Sequence, residues 1–141
     1  MDIEVTTAPT KEEMDTIRNG IHAYNRQYIG EPAVKEDLRF SVLARDGHGT
    51  ITGGINAVSF WGWLHIEILW VEEALRGTGL GSRLLFSAEE FALKHEFFNS
   101  RLETTDFQAK GFCERHGYKV YGVLEDFPED YNLYYMTKSL K

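Results

Sequence analysis

Leu69-Trp70-Val71-Glu72-Glu73-Ala74-Leu75-Arg76-Gly77-Thr78-Gly79-Leu80-Gly81-Ser82 is the most informative segment of the chain. It begins as the end of an apolar run, Leu64 to Val71, rich in Leu, Ile, Trp and Val. It then turns through three glycines. Beyond the turn, Leu80, Leu84, Leu85, Ala88, Phe91 and Ala92 keep helical spacing. A strand, a glycine-rich turn and a long amphipathic helix make an anion site. The first N–H groups of a helix have no intrahelical partner, and the helix dipole adds partial positive charge there. Glycines let the backbone come within hydrogen-bonding distance of phosphate oxygens. Arg76 can add a charge-assisted bond, although alone it would read as a solvated turn residue.

Upstream of this stretch, Ile3 to Thr6 reads as a first strand. Pro9-Thr10 opens a helix, with Thr10 and Glu13 at capping-box spacing. Met14, Ile17, Ile21, Tyr24 and Tyr28 draw its apolar face, so packing is the default role of the two tyrosines. Phe40 to Arg45 and Thr50 to Phe60 are strands joined by the turn Asp46-Gly47-His48-Gly49. Gly53-Gly54 inside the second suggests a bulge or a close backbone approach. Trp61-Gly62-Trp63 turns the chain into the strand Leu64 to Val71. Trp61 and Trp63 suit a ligand pocket or the packing of a strand pair, and packing is the commoner use.

Downstream, Lys94 and His95 suit the C-terminus of the long helix. Arg101 to Thr104 is a short strand, and Phe107 to His116 a short helix that Gly117 ends as a left-handed cap. Tyr118 to Leu124 and Tyr131 to Lys138 are strands joined around Pro128. The order β-α-β-β-β-α-β-α-β-β predicts an α/β (α+β) fold. Its central sheet is mixed and partly antiparallel, with helices on both faces. No linker or repeat divides residues 1–141, which are expected to form a single domain.

Composition sets limits on partners. The net charge of −7 disfavours nucleic acid, which calls for clustered Lys and Arg, and suits a cationic acceptor such as an amine. A single cysteine, Cys113, allows no internal disulfide, which fits a cytoplasmic protein. No run approaches a membrane span, so no membrane partner is expected. The five histidines show no zinc-ligand spacing, and no structural metal is expected. Tyr134 and Tyr135 alternate faces on the last strand, which leaves one for the core and one for the surface. A homodimer contact there stays open.

Other phosphate loops fit badly. A Walker A loop needs Gly-Lys-Ser/Thr, and no Lys lies here. A dinucleotide fingerprint has Gly-x-Gly-x-x-Gly near a first strand, whereas here Gly-x-Gly-x-Gly follows several strands. The chain instead resembles the GNAT superfamily of N-acetyltransferases. Arg76, Gly79 and Gly81 match its Arg/Gln-x-x-Gly-x-Gly/Ala signature, and Leu69 and Val71 match its strand end. Phe112, Gly117 and Tyr118 match a later helix motif. The resemblance covers roughly Phe40 to Leu140. It implies acetyl-CoA as co-substrate. It further implies a sheet splayed at the cofactor site, with Leu69, Trp70 and Val71 meeting the pantetheine arm through main-chain groups. The backbone from Gly77 through Thr78, Gly79, Leu80 and Gly81 to Ser82 would hold the pyrophosphate. The activity implied is acetyl transfer to a primary amine of a small molecule or peptide, directly within a ternary complex. A non-catalytic acyl-CoA-binding module and, more distantly, a nucleotide-binding regulatory domain are the competing readings.

The resemblance also points to catalytic groups. Many family members carry a Tyr acid where this chain has Cys113. A thiol can donate a proton in principle, but a small buried cysteine is the commoner fate. A base is often carried on the strand before the turn. Alternation there places His65, Glu67, Leu69 and Val71 on one face, and Ile66, Ile68 and Trp70 on the other. Either His65 or Glu67 can take the amine proton, with Glu67 preferred as nearer the expected thioester. The alternative is that Glu67 pairs with a cation and His65 packs against Trp63 or caps a chain end.

Overall fold

The computed structural model describes residues 1–34 and 38–141, and only the backbone of 31–34. The chain divides into two compact units, 1–35 and 36–141.

The first unit holds helix α1, Lys11–Val34, interrupted at Gly30, whose φ of 69° breaks the helical backbone. Its start is the capping box read from sequence. Glu13 N–H donates to Thr10 Oγ1 at 3.1 Å, and Thr10 N–H donates to Glu13 Oε1 at 2.8 Å. Tyr24 and Tyr28, one turn apart, meet with ring centroids 5.3 Å apart. The strand expected over Ile3 to Thr6 is not formed; those residues are irregular. Four residues flanked by Asp2 and Thr7 have a strand only if a ladder partner takes up their N–H and C=O groups, and none does among the described residues.

The second unit is a six-stranded sheet in the order β1-β2-β3-β4-β6-β5. The strands are β1 Arg39–Arg45, β2 Ile51–Phe60, β3 Trp63–Val71, β4 Asn99–Thr105, β5 Lys119–Leu124 and β6 Leu133–Ser139. Among the described residues only β3 and β4 pair in parallel, through the crossover helix α2, Leu80–Lys94. The short helix α3, Lys110–Arg115, joins β4 to β5. It begins later than Phe107, because Gln108 and Thr104 first cap the strand end: Gln108 Oε1 accepts from Thr105 N–H and Thr104 Oγ1 from Ala109 N–H. The mixed α/β architecture is therefore the one the element order predicts.

Turn chemistry sets the hairpins. Asp46 Oδ1 accepts from the N–H groups of His48 and Thr50, and Gly49 takes φ 82°. Trp61 and Gly62 both take positive φ, 48° and 84°, as a two-residue hairpin requires. The Gly53-Gly54 pair does mark a close approach. A Cβ on Gly54 would lie 2.7 Å from Val42 O, and one on Gly53 3.0 Å from Trp70 O.

The core lies between the sheet and α2, whose Leu84, Leu85, Ala88 and Ala92 are buried against Ile55, Leu64 and Ile66. Burying each such leucine contributes about 1.5–3 kcal/mol. Helix α3 adds Cys113 to the same core. It ends in a Schellman motif, with Gly117 at φ 90° and Tyr118 N–H donating to Cys113 O. Among the described residues, no helix is long and apolar enough to cross a membrane.

Candidate active site

The strand alternation expected along β3 fails at Glu67. Ile68 pairs with Asn56 and Ile66 with Ala57, so Glu67 has no partner on β2 and forms a β-bulge. The extra residue reverses the faces. Leu64 and Ile66 point into the core, and beyond the bulge so do Leu69 and Val71, while Ile68 and Trp70 are exposed. Leu69 and Val71 therefore lie opposite His65, not beside it.

The same point ends the parallel ladder. Strands β3 and β4 pair from Trp63–Asn99 to Ile66–Leu102 and no further. Beyond it the strands part, and a cavity of about 180 Å³ opens, lined by Glu67, Leu69, Leu85, Glu103, Cys113 and their neighbours. Pockets for drug-sized ligands run roughly 300–1,000 Å³, so this one suits only the reacting end of a ligand. On its β2 side the strand from Ile68 to Val71 is fully paired. Its other edge is no longer taken up by β4.

The chain then passes through a short 3-10 turn, Glu73–Leu75, into the glycine turn. Gly77 and Gly79 take φ 78° and 87°, a left-handed backbone that side chains disfavour. Arg76 Nε donates to Val71 O at 3.2 Å and Thr78 Oγ1 to Leu75 O at 2.5 Å, tying the turn to the strand end. Arg83 N–H bonds Gly79 O, and the N–H groups of Leu80, Gly81 and Ser82 before it have no acceptor within the helix. Those donors open onto the start of a 15-residue helix.

A splayed parallel pair followed by uncovered donors is matched by family. The profile of the Acetyltransferase (GNAT) family covers residues 6–118. The chain belongs to the GNAT acetyltransferase family. A blasticidin-S acetyltransferase of Streptomyces morookaense is 39% identical over 103 residues, 72% of this chain and 75% of that protein. An acetyltransferase of Agrobacterium fabrum is 30% identical over 138 residues, 98% of each chain. The crystal structure of an acetyltransferase from Bacillus cereus superposes with a TM-score of 0.87 at 30% identity, over 96% of this chain and 97% of that one. As a GNAT protein the chain is an acetyltransferase, and the family uses acetyl-CoA.

Within this GNAT site the titratable groups are already engaged. Arg39 Nη1 donates to Glu67 Oε1 at 2.6 Å, so Glu67 does pair with a cation. Both partners are solvent-accessible, and such a pair is worth about 0–1 kcal/mol, which leaves the carboxylate easily released. His65 Nε2 lies 2.7 Å from Glu103 Oε2, and Arg101 Nη1 donates to Glu103 Oε1 at 3.1 Å. Cys113 is buried, and that burial, with Glu114 beside it, pushes its thiol up to about 11.

Glu103 was not singled out from sequence. It lines the cavity and anchors His65. The available signal was Arg101-x-Glu103 on a strand parallel to the one carrying His65, which puts both charges on one sheet face. Trp61 and Trp63 line a second, wider groove of about 450 Å³ together with Phe60, Arg101, Tyr121 and Thr137.

Proposed function

We propose that the protein moves the acetyl group of acetyl-CoA directly to a primary amine of a small molecule or peptide. The supporting observation is the end of the β3–β4 ladder at Ile66–Leu102, with a cavity at the divergence and uncovered N–H groups one turn later. The free edge of Leu69, Trp70 and Val71 takes the pantetheine arm as an added strand would. The N–H groups from Gly77, Thr78, Gly79, Leu80, Gly81 and Ser82 take the pyrophosphate. Arg76 braces the turn through Nε and keeps its remaining guanidinium donors for the phosphates.

The thioester then reaches the cavity. Glu67 lines it on the bulge and takes the proton of the attacking amine, its tie to Arg39 being weak. Glu103, held from both sides by His65 and Arg101, is a fixed anion that holds the cationic acceptor near the thioester. Arg101 connects this anion to the aromatic groove of Trp61 and Trp63, where the rest of the acceptor packs. Cys113 keeps its proton and serves as a wall of the cavity. Transfer therefore passes through a ternary complex with no acetyl-cysteine.

The test is thiol release from acetyl-CoA across a panel of amines. Blasticidin S belongs in it, because a relative 39% identical over 103 residues carries that substrate in its name. Turnover above hydrolysis with one class of amine supports the reading, and CoA binding without turnover on any amine contradicts it.

A further inference from the structure

Helix α3 ends on His116, and that ring reaches across to the phosphate turn. Its Nδ1 lies 2.8 Å from Phe112 O. A carbonyl only accepts, so Nδ1 carries the hydrogen. In the neutral ring Nε2 is then the lone-pair nitrogen, and Ser82 Oγ, 2.8 Å away, is the donor. Helix α2 shows that the first bond does not entail the second. His95 ends that helix in the same way, Nδ1 2.9 Å from Phe91 O and its ring 4.3 Å from the Phe91 ring. His95 makes no second side-chain bond among the described residues, whereas His116 bridges 34 positions in sequence.

Ser82 is the third residue of α2. A serine hydroxyl can compete locally for backbone groups, and those left without an intrahelical partner beside Ser82 are the orphan N–H donors of the first turn. Those are the donors assigned to the pyrophosphate. Helix α3 braces this turn a second time, since the Phe112 ring lies 3.5 Å from where a Gly81 Cβ would stand.

We propose that His116 is a positioning residue for the phosphate turn: it accepts a hydrogen bond from the Ser82 hydroxyl, which holds that side chain toward α3 and away from the N–H groups that bind the anion. The proposal rests on the cofactor reading above. The variant His116→Asn keeps a short polar group for the Phe112 carbonyl but cannot reach Ser82. By titration calorimetry its CoA affinity falls about three- to tenfold, the worth of one net hydrogen bond. Pantetheine, which lacks the phosphates, binds it as it binds wild type. Adding Ser82→Ala removes the competing hydroxyl and restores CoA affinity to within about twofold of wild type, a coupling that additive damage does not produce. Unchanged CoA affinity in folded His116→Asn overturns the proposal. A loss that persists in the double variant, or that is equal for pantetheine, overturns it too. Wild-type protein that binds no CoA overturns the cofactor reading itself.

Discussion

Glu67 and Glu103 are the first residues past the parallel ladder, one on β3 and one on β4, and both line the cavity that opens between the strands. They are held differently. Glu67 has one solvent-accessible arginine, whereas Glu103 is fixed between His65 and Arg101. The division of labour proposed above follows from that difference.

If Glu67 is the base, Glu67→Gln lowers kcat by about 10²-fold or more, with CoA affinity unchanged. Glu103→Gln and His65→Ala act mainly on the acceptor, raising its KM about tenfold. Steady-state kinetics checks all three. A large loss of kcat in His65→Ala beside an unaffected Glu67→Gln makes His65 the base instead.

Cys113 gives a prediction in alkaline solution. Its thiol ionises at about 11 when folded, against a reference of 9.0. Between those values the unfolded chain releases the proton and the folded chain keeps it, so stability falls as pH rises through that window. Melting temperatures across pH 9 to 11 should drop less in Cys113→Ala than in wild type. Tyr118, whose hydroxyl burial also pushes up, adds its own loss above its reference of 10.0 in both proteins. Intact-mass measurement after mixing with acetyl-CoA should show no adduct on Cys113; a stoichiometric one sinks direct transfer.

Gly54→Ala should destabilise the protein by about 1–3 kcal/mol, since the added methyl would sit 2.7 Å from a backbone carbonyl of the adjacent strand. Thermal unfolding measures it. Gly47→Ala, with open space at its Cβ, is the control and should melt close to wild type.

Local rules were the legible part of this chain. The Thr10–Glu13 box, the Asp46–Gly49 turn, the Gly117 cap and the strand–turn–helix around Arg76 each depend on neighbours within a few residues. The bulge was not legible, because periodicity carries alternation through Glu67 and only the missing partner on β2 reveals the slip. The strand read at Ile3 to Thr6 had suitable residues, and no ladder took it up. Glu103 reads as an ordinary surface glutamate until β4 is set parallel to β3. The Ser82–His116 bond joins two helix ends by tertiary packing, which no spacing encodes.

The central claim is that CoA is held by the backbone of the glycine turn. Its most direct test is calorimetric titration of CoA into Gly79→Val, a position at φ 87° with nothing within 4 Å of an added Cβ. The side chain would fill the open space beside the turn and strain a left-handed backbone by about 1–2 kcal/mol, a cost the remaining fold can bear. The variant should still melt cooperatively and bind CoA at least about 30-fold more weakly, the loss of two or more phosphate hydrogen bonds. Wild-type CoA affinity in that folded variant would contradict it.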